Sequence, residues 1–506
     1  MSAVVGVDAG LTTTTVVIYD TDGQVHAEAS CDTPTARPQE GFREVGLDTL
    51  WGAVAKVIKT AVSRAGDVKI VGVGIAGHGH GAYLLDDQGK AVRPGIKSTD
   101  SRGAEVVDTW EADGRADIMR HRLGYGPFGA DPLSILQWLS VHEPGSLDSL
   151  DTLLFCKDYL KYRLTDQCCT DEMEASVFYE FGTDSYASGI FRDLELPVDD
   201  SILPSVVPSQ TTCGTVTEEA ARITGLPAGV PVASGLHDVG ATALGLGAYQ
   251  AGQSALIVGT WGQSIAIQET VETNEKSAGL TRRFLDERYL RYKGLRSATA
   301  CLEWFTDQFG DVWDREAAKR EVSPYTVYNE TVASVPPGAN GLLFHPYIDG
   351  STDSPVDRGG FYGLTSEHTR ADMLRAVYEG VALGQAIRLS EVTRDRHAND
   401  LRLGGGGARS AVWADIFASA TEIDIQIPAN EEAGACGAAI CAALAAGIFE
   451  THDQAIAEFV SIARQHEPDP EATAIYADRK SVFNQALSAI QPTWKDLSQP
   501  IESQSL

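Results

Sequence analysis

The fold is decided by a stretch near the N-terminus, "AVVGVDAGLTTTTVVIYDTDGQVHAEAS" at residues 3–30. An apolar run ends at Asp8, and a glycine, four consecutive threonines and a second β-branched run follow, with a turn at Asp22–Gly23. Apolar and β-branched runs separated by turn residues predict strands joined by tight turns. We therefore expect a strand–turn–strand unit with Asp8 at the end of a buried strand.

The same unit recurs in the second half of the chain. "SALIVGTWGQSIAIQET" at 254–270 is again a β run, a Gly-Thr turn and a second β run. Further on, residues 369–393 have apolar residues at helical spacing, with Thr369 and Asp372 placed as an N-terminal capping pair. Recurrence of the unit in both halves predicts an α/β protein of two related lobes.

Composition bounds the class of partner. The chain has 506 residues, 43% of them hydrophobic, and a net charge of -30 from 70 acidic and 40 basic residues. This charge argues against nucleic acid and against an anionic membrane surface as partners. No run of apolar residues is long enough for a transmembrane helix, and the start has no signal-peptide pattern. The 8 cysteines are scattered without a C-x-x-C pair, which favours reduced thiols and a cytoplasmic location.

Two short motifs suggest sites that the surrounding sequence argues against. "GVGIAG" at 72–77 matches the dinucleotide pattern G-x-G-x-x-G, but that pattern needs a following helix, and here the sequence continues as strand. His78 and His80 resemble a metal-binding pair, but no third ligand lies near them in sequence. Neither a Rossmann site nor a zinc site is therefore expected.

Four other segments favour a bound nucleotide. The turn after Asp8 offers N–H groups and hydroxyls that can cradle phosphate, beside a carboxylate that can hold Mg²⁺, although a Thr-rich hairpin is the alternative. "VGTWGQS" at 258–264 offers a second such turn. The glycine run "LGGGGARSAVW" from Leu403 lets a flat ring approach the backbone, unless it is only a flexible turn. Asp238, in "SGLHDVGATALGLG" at 234–247, is an isolated acid that faces the terminal phosphate or caps the helix that follows.

These motifs together resemble the FGGY family of carbohydrate kinases, in the sugar kinase, Hsp70 and actin superfamily. The resemblance runs from Val4 to about Phe449, and its most specific part is "GGFYGLTSEHTRADMLRAVYE" at 359–379. It implies a two-lobed, ribonuclease H-like α/β fold with the active site in the interlobe cleft. Residues 1–248 would form an N-terminal lobe for sugar and phosphate, 249–490 a C-terminal lobe for adenosine, and 491–506 a flexible tail.

The resemblance also implies roles for individual residues. Asp238 would be the general base that takes a proton from the sugar hydroxyl as it attacks the γ-phosphate of ATP. Asp8 and Asp238 would organise Mg²⁺, and His80 and Asp100 would join Asp238 in binding the sugar. Lys157 and Tyr159 would pack in the interior. The resemblance also implies three sets of ATP-binding residues. Gly10, Thr12 and Thr13 would contact the phosphates from the first lobe, and Gly259 and Thr260 would contact them from the second. Residues at the adenosine would be Gly405, Gly406, Gly407 and Ala408.

Within the family, "GTWGQS", "CLEWFTDQFG" and "SGLHDVGATAL" look most like the L-xylulose kinases. The expected reaction is ATP-dependent phosphorylation of L-xylulose or a related ketose or keto sugar acid. The alternatives are a kinase of a polyol such as erythritol or of another pentulose, or a non-catalytic nucleotide-binding protein. The resemblance is also compatible with a homodimer.

The sugar-binding region departs from the family pattern at two positions. Gly79 stands where relatives acting on D-xylulose have Met, and Ser98 stands where the family has Trp, in "STDSR" at 98–102. We expect the first change to open space beside His80 and the second to remove an apolar wall. Such a site would suit an extended, hydroxyl-rich substrate.

Overall fold

The computed structural model describes residues 1–271, 279–354, 356–394 and 400–497, with side chains described as far as Trp494. The chain forms two compact units. The first comprises Met1–Tyr249, Gln268–Leu290 and Glu432–Ser461, and the second comprises Gln250–Ile267, Arg291–Glu431 and the chain from Ile462. The first segment thus ends at Tyr249, next to the boundary expected after residue 248. Two later segments, Gln268–Leu290 and Glu432–Ser461, also belong to the first unit.

The strands are β1 (Ser2–Ala9), β2 (Thr13–Asp20), β3 (Val25–Asp32), β4 (Glu44–Val45), β5 (Lys69–Gly77), β6 (Tyr83–Leu85), β7 (Gly95–Ile96), β8 (Thr152–Leu154), β9 (Cys169–Thr170), β10 (Ser205–Val206), β11 (Thr212–Thr215), β12 (Pro231–Ala233), β13 (Leu236–His237), β14 (Gln253–Val258), β15 (Gly262–Gln268), β16 (Leu280–Arg283), β17 (Tyr289–Leu295), β18 (Leu343–His345), β19 (Gly360–Tyr362), β20 (Asp400–Gly404), β21 (Ile425–Pro428) and β22 (Ile462–His466).

The helices are α1 (Leu47–Ala65), α2 (Ala104–Asp113), α3 (Arg115–Arg122), α4 (Pro132–His142), α5 (Pro144–Asp148), α6 (Cys156–Thr165), α7 (Glu172–Ala175), α8 (Ile190–Asp193), α9 (Glu218–Thr224), α10 (Asp238–Gly245), α11 (Thr299–Phe309), α12 (Asp311–Arg320), α13 (Pro324–Ser334), α14 (Arg370–Thr393), α15 (Ala411–Thr421), α16 (Ala433–Ala445), α17 (His452–Phe459) and α18 (Pro470–Leu497).

The sheet of the first unit places both candidate carboxylates at one edge. Its strand order is β11-β12-β5-β1-β2-β3, and β13 also pairs with β5. β1 and β13 both run parallel to β5, where Asp8 and Leu236 each lie opposite Ala76. Because parallel strands end at the same edge of a sheet, Asp8 and Asp238 come out on the same side. The expected hairpin of β1 and β2 is confirmed, and the turn at Asp22–Gly23 joins β2 to β3.

Helix α16 packs against this sheet so closely that only glycine fits between them. A Cβ atom on Gly6 would lie 1.9 Å from the Ala435 carbonyl oxygen, and one on Gly74 would lie 1.9 Å from the Ala438 carbonyl oxygen. The glycines of "GVGIAG" therefore serve packing inside β5, and no helix follows them, as predicted. The sequence division had placed this helix in the C-terminal lobe, whereas it belongs to the first unit.

The second unit has its own sheet and core. The strands β17, β15, β14, β20, β21 and β22 are neighbours in that order, with β14 antiparallel to β15 and parallel to β20. The predicted capping box of Thr369 and Asp372 is present at the start of α14. A tail expected to be flexible from residue 491 instead continues α18 to Leu497, with Trp494 buried in the core. The remainder of that tail, 498–506, lies outside the described residues.

Among the residues that the structure describes, no helix combines the length and apolar character that a bilayer crossing requires.

Candidate active site

Asp238 is the first residue of α10 and is held by its own helix. Its Oδ1 accepts a hydrogen bond from the Val239 N–H at 2.7 Å, and its side chain is 30% exposed. Desolvation raises the pKa of Asp238 to about 7, against a smaller lowering by the Val239 N–H. A carboxylate with a proton affinity near neutral pH and a second oxygen outside this bond suits a general base. The N-cap residue of α10 is His237, and Asp238 shares the same Val239 N–H, so a part in capping is compatible with proton transfer.

The neighbouring His237 is neutral. Desolvation lowers its pKa to about 3, and its Nδ1 accepts from the Val239 N–H at 3.2 Å. Because this ring carries no charge, it does not draw the Asp238 pKa down as an imidazolium would. His237 therefore lies beside the carboxylate, with Nδ1 3.1 Å from Asp238 Oδ1, without neutralising it.

Asp8 ends β1 in a setting that suits a divalent cation. Its Oδ1 is buried without a hydrogen-bond partner, and desolvation, with repulsion from Asp238 and Glu432, raises its pKa to about 8. Gly434 keeps space at the other oxygen, since a Cβ there would lie 2.1 Å from Asp8 Oδ2. Hard carboxylate oxygens are what Mg²⁺ prefers, and Mg²⁺ usually takes only one or two of them along with phosphate and water. In the described ranges no group of three His, Cys, Asp or Glu side chains is placed to hold a metal ion.

The turn after Asp8 presents hydroxyls to solvent. The Gly10 N–H donates to the Thr13 carbonyl at 3.1 Å, which closes the turn, and the side chains of Thr12 and Thr13 are exposed. The Thr33 N–H holds the Thr12 carbonyl at 2.7 Å from the other side. The exposure of both hydroxyls is compatible with contacts to phosphate oxygens, and a phosphate-binding role for this turn stays a prediction.

The nucleotide residues predicted in the second unit lie together. Gly259 starts the turn between β14 and β15, and its N–H donates to the Trp261 carbonyl at 3.1 Å. Gly405 has φ +84°, and a Cβ there would lie 2.8 Å from the carbonyl oxygen of Val258, the residue before Gly259. Gly406 is exposed, and a Cβ there would meet nothing within 4 Å. The glycine run therefore packs against the end of β14, just before the turn at Gly259, at one side and is open at the other.

The other members of these two sets have defined surroundings. Thr260 is exposed, and its carbonyl accepts from the Ala298 N–H at 2.9 Å. Gly407 and Ala408 are buried, and the Ala408 carbonyl accepts from Arg464 Nη2 at 2.6 Å. The buried backbone at 407–408 is therefore held in place next to the exposed glycines at 405–406.

His80 is a strained, buried histidine that the protein leaves unsatisfied. It is 6% exposed, has φ +58°, and neither ring nitrogen has a hydrogen-bond partner. Its ring packs edge-on against Phe128 at 4.8 Å and lies 6.2 Å from the His237 ring. Desolvation, reinforced by Arg282, holds its pKa well below the ordinary value. Buried donors and acceptors are nearly always paired, so two open nitrogens on a strained residue indicate a ligand site.

The expectation for Gly79 is wrong. A Cβ at this position would lie 1.9 Å from His237 Cδ2 and 3.0 Å from Glu174 Oε2. The place of the missing side chain is therefore occupied by the His237 ring, and no space opens beside His80. Glycine is needed here so that the histidine next to Asp238 can approach the backbone.

The predicted sugar contact of Asp100 is not supported by its geometry. Asp100 Oδ1 accepts from the backbone N–H and Nε of Arg102, and Oδ2 accepts from the Arg43 N–H and from Arg102 Nη2. A carboxylate has about four lone-pair positions, and all of them are taken. Asp100 therefore fixes the loop after β7 and has no acceptor left for a hydroxyl. Ser98 in that loop lies 3.4 Å from His78 Nδ1.

Sequence reasoning missed two polar residues near His80. Glu174 on α7 is fully buried, both its oxygens lack partners, and desolvation raises its pKa well above the ordinary value. Arg282 on β16 lies 4.4 Å above the Tyr125 ring, and its Nη2 has no partner. Neither residue is part of a recognisable motif, and they come near because α7 packs against both β13, which contains His237, and β16. They add a neutral acid and a cation to the His80 surroundings.

The expectation that Lys157 and Tyr159 pack in the interior is confirmed. Lys157 is fully buried, with Nζ 2.5 Å from both Asp158 and Asp171, and Tyr159 is 2% exposed. The lysine is thus neutralised by two carboxylates and takes no part in binding.

Comparison with known proteins places this arrangement in a class. The chain is 29% identical to the L-xylulose/3-keto-L-gulonate kinase of Escherichia coli (strain K12), covering 96% of this chain and 97% of that protein. It is 26% identical to the erythritol kinase of Brucella abortus (strain 2308), covering 98% of each. The xylulose kinase structure from Rhodospirillum rubrum has a TM-score of 0.85 at 27% identity and covers 97% of this chain and 100% of that chain. The two α/β units are those of an ATP-dependent sugar phosphotransferase.

The family follows from matches to both halves of the chain. Residues 3–245 match the N-terminal domain of the FGGY family of carbohydrate kinases, and residues 254–446 match its C-terminal domain. The chain belongs to this family. Its substrates are therefore a small carbohydrate and ATP, and the alternative of a non-catalytic nucleotide-binding protein is set aside.

Proposed function

We propose that this kinase phosphorylates a hydroxyl of an open-chain ketose, L-xylulose or a related ketose or keto sugar acid, with Asp238 as general base. The observation that carries the proposal is the pair formed by Asp238 and His80. One carboxylate oxygen of Asp238 is fixed by the Val239 N–H and lies 3.1 Å from the His237 ring. The same ring lies 6.2 Å from the ring of the buried His80, whose two nitrogens have no hydrogen-bond partner among the described residues. A base beside an unsatisfied hydrogen-bonding ring is what the phosphorylation of a hydroxyl requires.

The chemistry assigns a step to Asp238. Its free oxygen accepts the proton of the substrate hydroxyl while that oxygen forms a bond to the γ-phosphorus of ATP. The bond between the γ-phosphorus and the oxygen bridging to ADP breaks, and its electron pair leaves with ADP. The proton remains on Asp238 until it is lost to solvent.

The remaining residues bind and orient. His80 would exchange hydrogen bonds with substrate hydroxyls, and Asp8 with Asp238 would hold Mg²⁺, which neutralises phosphate charge when bound. Thr12 and Thr13 would meet phosphate oxygens. In the second unit, the turn at Gly259 and Thr260 would do the same, and the open glycines at 405–406 would accept the adenine ring.

The choice of a ketose is supported by the relatives that carry L-xylulose and xylulose in their names. It is also supported by the polar surroundings of His80, because a site built from buried hydrogen-bonding groups rejects analogues that leave those groups unpaired. A polyol kinase is the second candidate, which the similarity to an erythritol kinase keeps open.

A coupled assay of ADP release tests the proposal. L-xylulose, 3-keto-L-gulonate, D-xylulose and erythritol would be compared at equal concentration with purified protein, ATP and Mg²⁺, with a sugar-free reaction as control. We expect the highest kcat/KM on a ketose or its acid. The highest value on erythritol would move the assignment to the polyol kinases.

A further inference from the structure

Lys97 is a buried lysine whose side chain reaches the proposed phosphate turn. It follows β7, is 1% exposed, and its Nζ donates to the Leu11 carbonyl at 2.7 Å and to Thr35 Oγ1 at 2.7 Å. A third, longer contact reaches the Pro34 carbonyl at 3.5 Å. Leu11 lies inside the turn between Gly10 and Thr13, so the ammonium group holds that turn directly.

The charge of Lys97 has no counter-ion among the residues that the structure describes. Across the described ranges, no carboxylate oxygen lies within ion-pair distance of its Nζ, whereas Lys157 and Lys161, which are equally buried, both contact Asp158. A buried ammonium group without an anion is costly, even when its protons are all donated. Burial lowers the pKa of Lys97 accordingly. The cost is offset when an anion comes within reach of this charge.

The contact with Leu11 also orients the backbone. The carbonyl and the N–H of a trans peptide point in opposite directions, so drawing the Leu11 carbonyl toward Lys97 turns the Thr12 N–H away from it. Within the part of the chain that the structure describes, this N–H makes no hydrogen bond. The lysine thus fixes one face of the peptide and leaves a free donor on the other, next to the exposed Thr12 hydroxyl.

The lysine cannot leave this position easily, because its own backbone is fixed on both sides. The Lys97 N–H donates to the Arg43 carbonyl at 2.9 Å, and the Lys97 carbonyl accepts from the Asp100 N–H at 3.0 Å. The saturated Asp100 carboxylate holds the loop beyond. Lys97 is therefore a rigid support for the turn.

We propose that Lys97 is a positioning residue for the phosphates of ATP, which presents the Thr12 N–H to a phosphate oxygen and supplies positive charge behind the 10–13 turn. This rests on the proposed function, in which that turn binds the β- and γ-phosphates. Lys97 acts on the phosphate groups of the ligand, so it contributes most to the affinity for ATP and nothing to the affinity for adenosine.

The test compares binding of ATP, ADP and adenosine to the wild type and to Lys97→Met, which keeps the length of the side chain and removes its charge and donors. We expect Lys97→Met to weaken ATP by about tenfold or more, the loss of one charge-assisted contact, with adenosine binding and the sugar KM unchanged. Lys97→Arg should recover part of the ATP affinity, because it keeps the charge. Lys56→Met, on the exposed face of α1, is the control and should bind ATP as the wild type does.

Thermal melting of each variant shows whether it is folded. If Lys97→Met does not fold, Lys97→Gln replaces it, which keeps a donor and removes the charge, and a smaller selective loss of ATP affinity is expected. ATP affinity equal to that of the wild type in the folded variant, or an equal loss for adenosine, overturns the proposal. Because binding is measured without sugar, a wild type that phosphorylates none of the sugars would refute the proposed substrate and leave this comparison intact.

Discussion

Replacing Asp238 by Asn separates proton transfer from the structural part of this residue. The amide oxygen of Asn can still accept the Val239 N–H that Asp238 Oδ1 accepts at 2.7 Å, so α10 keeps its first turn. What is lost is the oxygen that takes the proton. The variant should therefore fold and bind ATP while failing in the chemical step.

The expected size follows from the role. General bases contribute about 10²–10⁴-fold in rate. At about 1.36 kcal/mol for each factor of ten, this is a barrier increase of about 2.7–5.4 kcal/mol. Loss of the cap alone would be compensated by Asn and should change the melting temperature by no more than about 2 °C, since Asn and Asp cap helices equally well.

The measurement is kcat from coupled ADP release, with ATP affinity and thermal melting recorded on the same samples. Asp199→Asn is the control, because the Asp199 side chain accepts a nearby backbone N–H, that of Ser201 at 2.9 Å, but is exposed and distant in sequence from the site. The control should keep wild-type kcat. Turnover of Asp238→Asn within about threefold of wild type would limit Asp238 to capping and refute its assignment as the base.

Three further outcomes are expected. Arg282→Gln should raise the sugar KM by about tenfold with the ATP KM unchanged. The control is Arg283→Gln on the same strand, which removes an ion pair with Asp184 and should change neither KM. Equal effects of the two substitutions would remove Arg282 from the sugar site. Gly434→Ala should lower kcat by about tenfold or more and raise the Mg²⁺ concentration needed for half-maximal activity, because its methyl group would lie 2.1 Å from Asp8 Oδ2. An unchanged dependence of activity on Mg²⁺ concentration would contradict this. The pKa of Glu174 is raised in the folded protein, so its contribution to stability falls as the pH rises above the ordinary carboxyl range. The melting temperature of Glu174→Gln should therefore rise relative to that of the wild type between about pH 5 and about pH 8. A constant difference in melting temperature would count against a protonated Glu174.

The sequence was sufficient for elements whose signal is local. The hairpins at Asp8 and Gly259 and the capping box at Thr369 depend on residues within a few positions of one another, and all three are present. The two-lobed α/β fold followed from the recurrence of these hairpins and from the family resemblance. What local patterns could not show is that 268–290 and 432–461 return to the first unit, because that depends on packing between distant segments.

The same limit applies to the candidate site. Asp238 and His80 were identified from motifs, but the saturation of Asp100 follows from contacts with Arg43 and Arg102 that no spacing rule contains. Gly79 was interpreted as an opening because a glycine in sequence shows only a missing side chain. The structure places the His237 ring there, and that ring lies more than 150 positions along the chain.

The chain is strongly negative and ATP is an anion, so the charges close to the phosphates must compensate for the repulsion between them. A net charge of -30 repels ATP at long range, so binding must depend on groups close to the phosphates. Asp8, with its pKa raised to about 8, is held largely protonated in the free protein and adds little repulsion there. A divalent cation would displace that proton, since metal binding requires the ionised carboxylate. The Lys97 ammonium group donates to the Leu11 carbonyl from behind the turn, and no carboxylate of the described residues forms an ion pair with it. Near the proposed phosphate turn, the charge balance is therefore less negative than that of the protein as a whole.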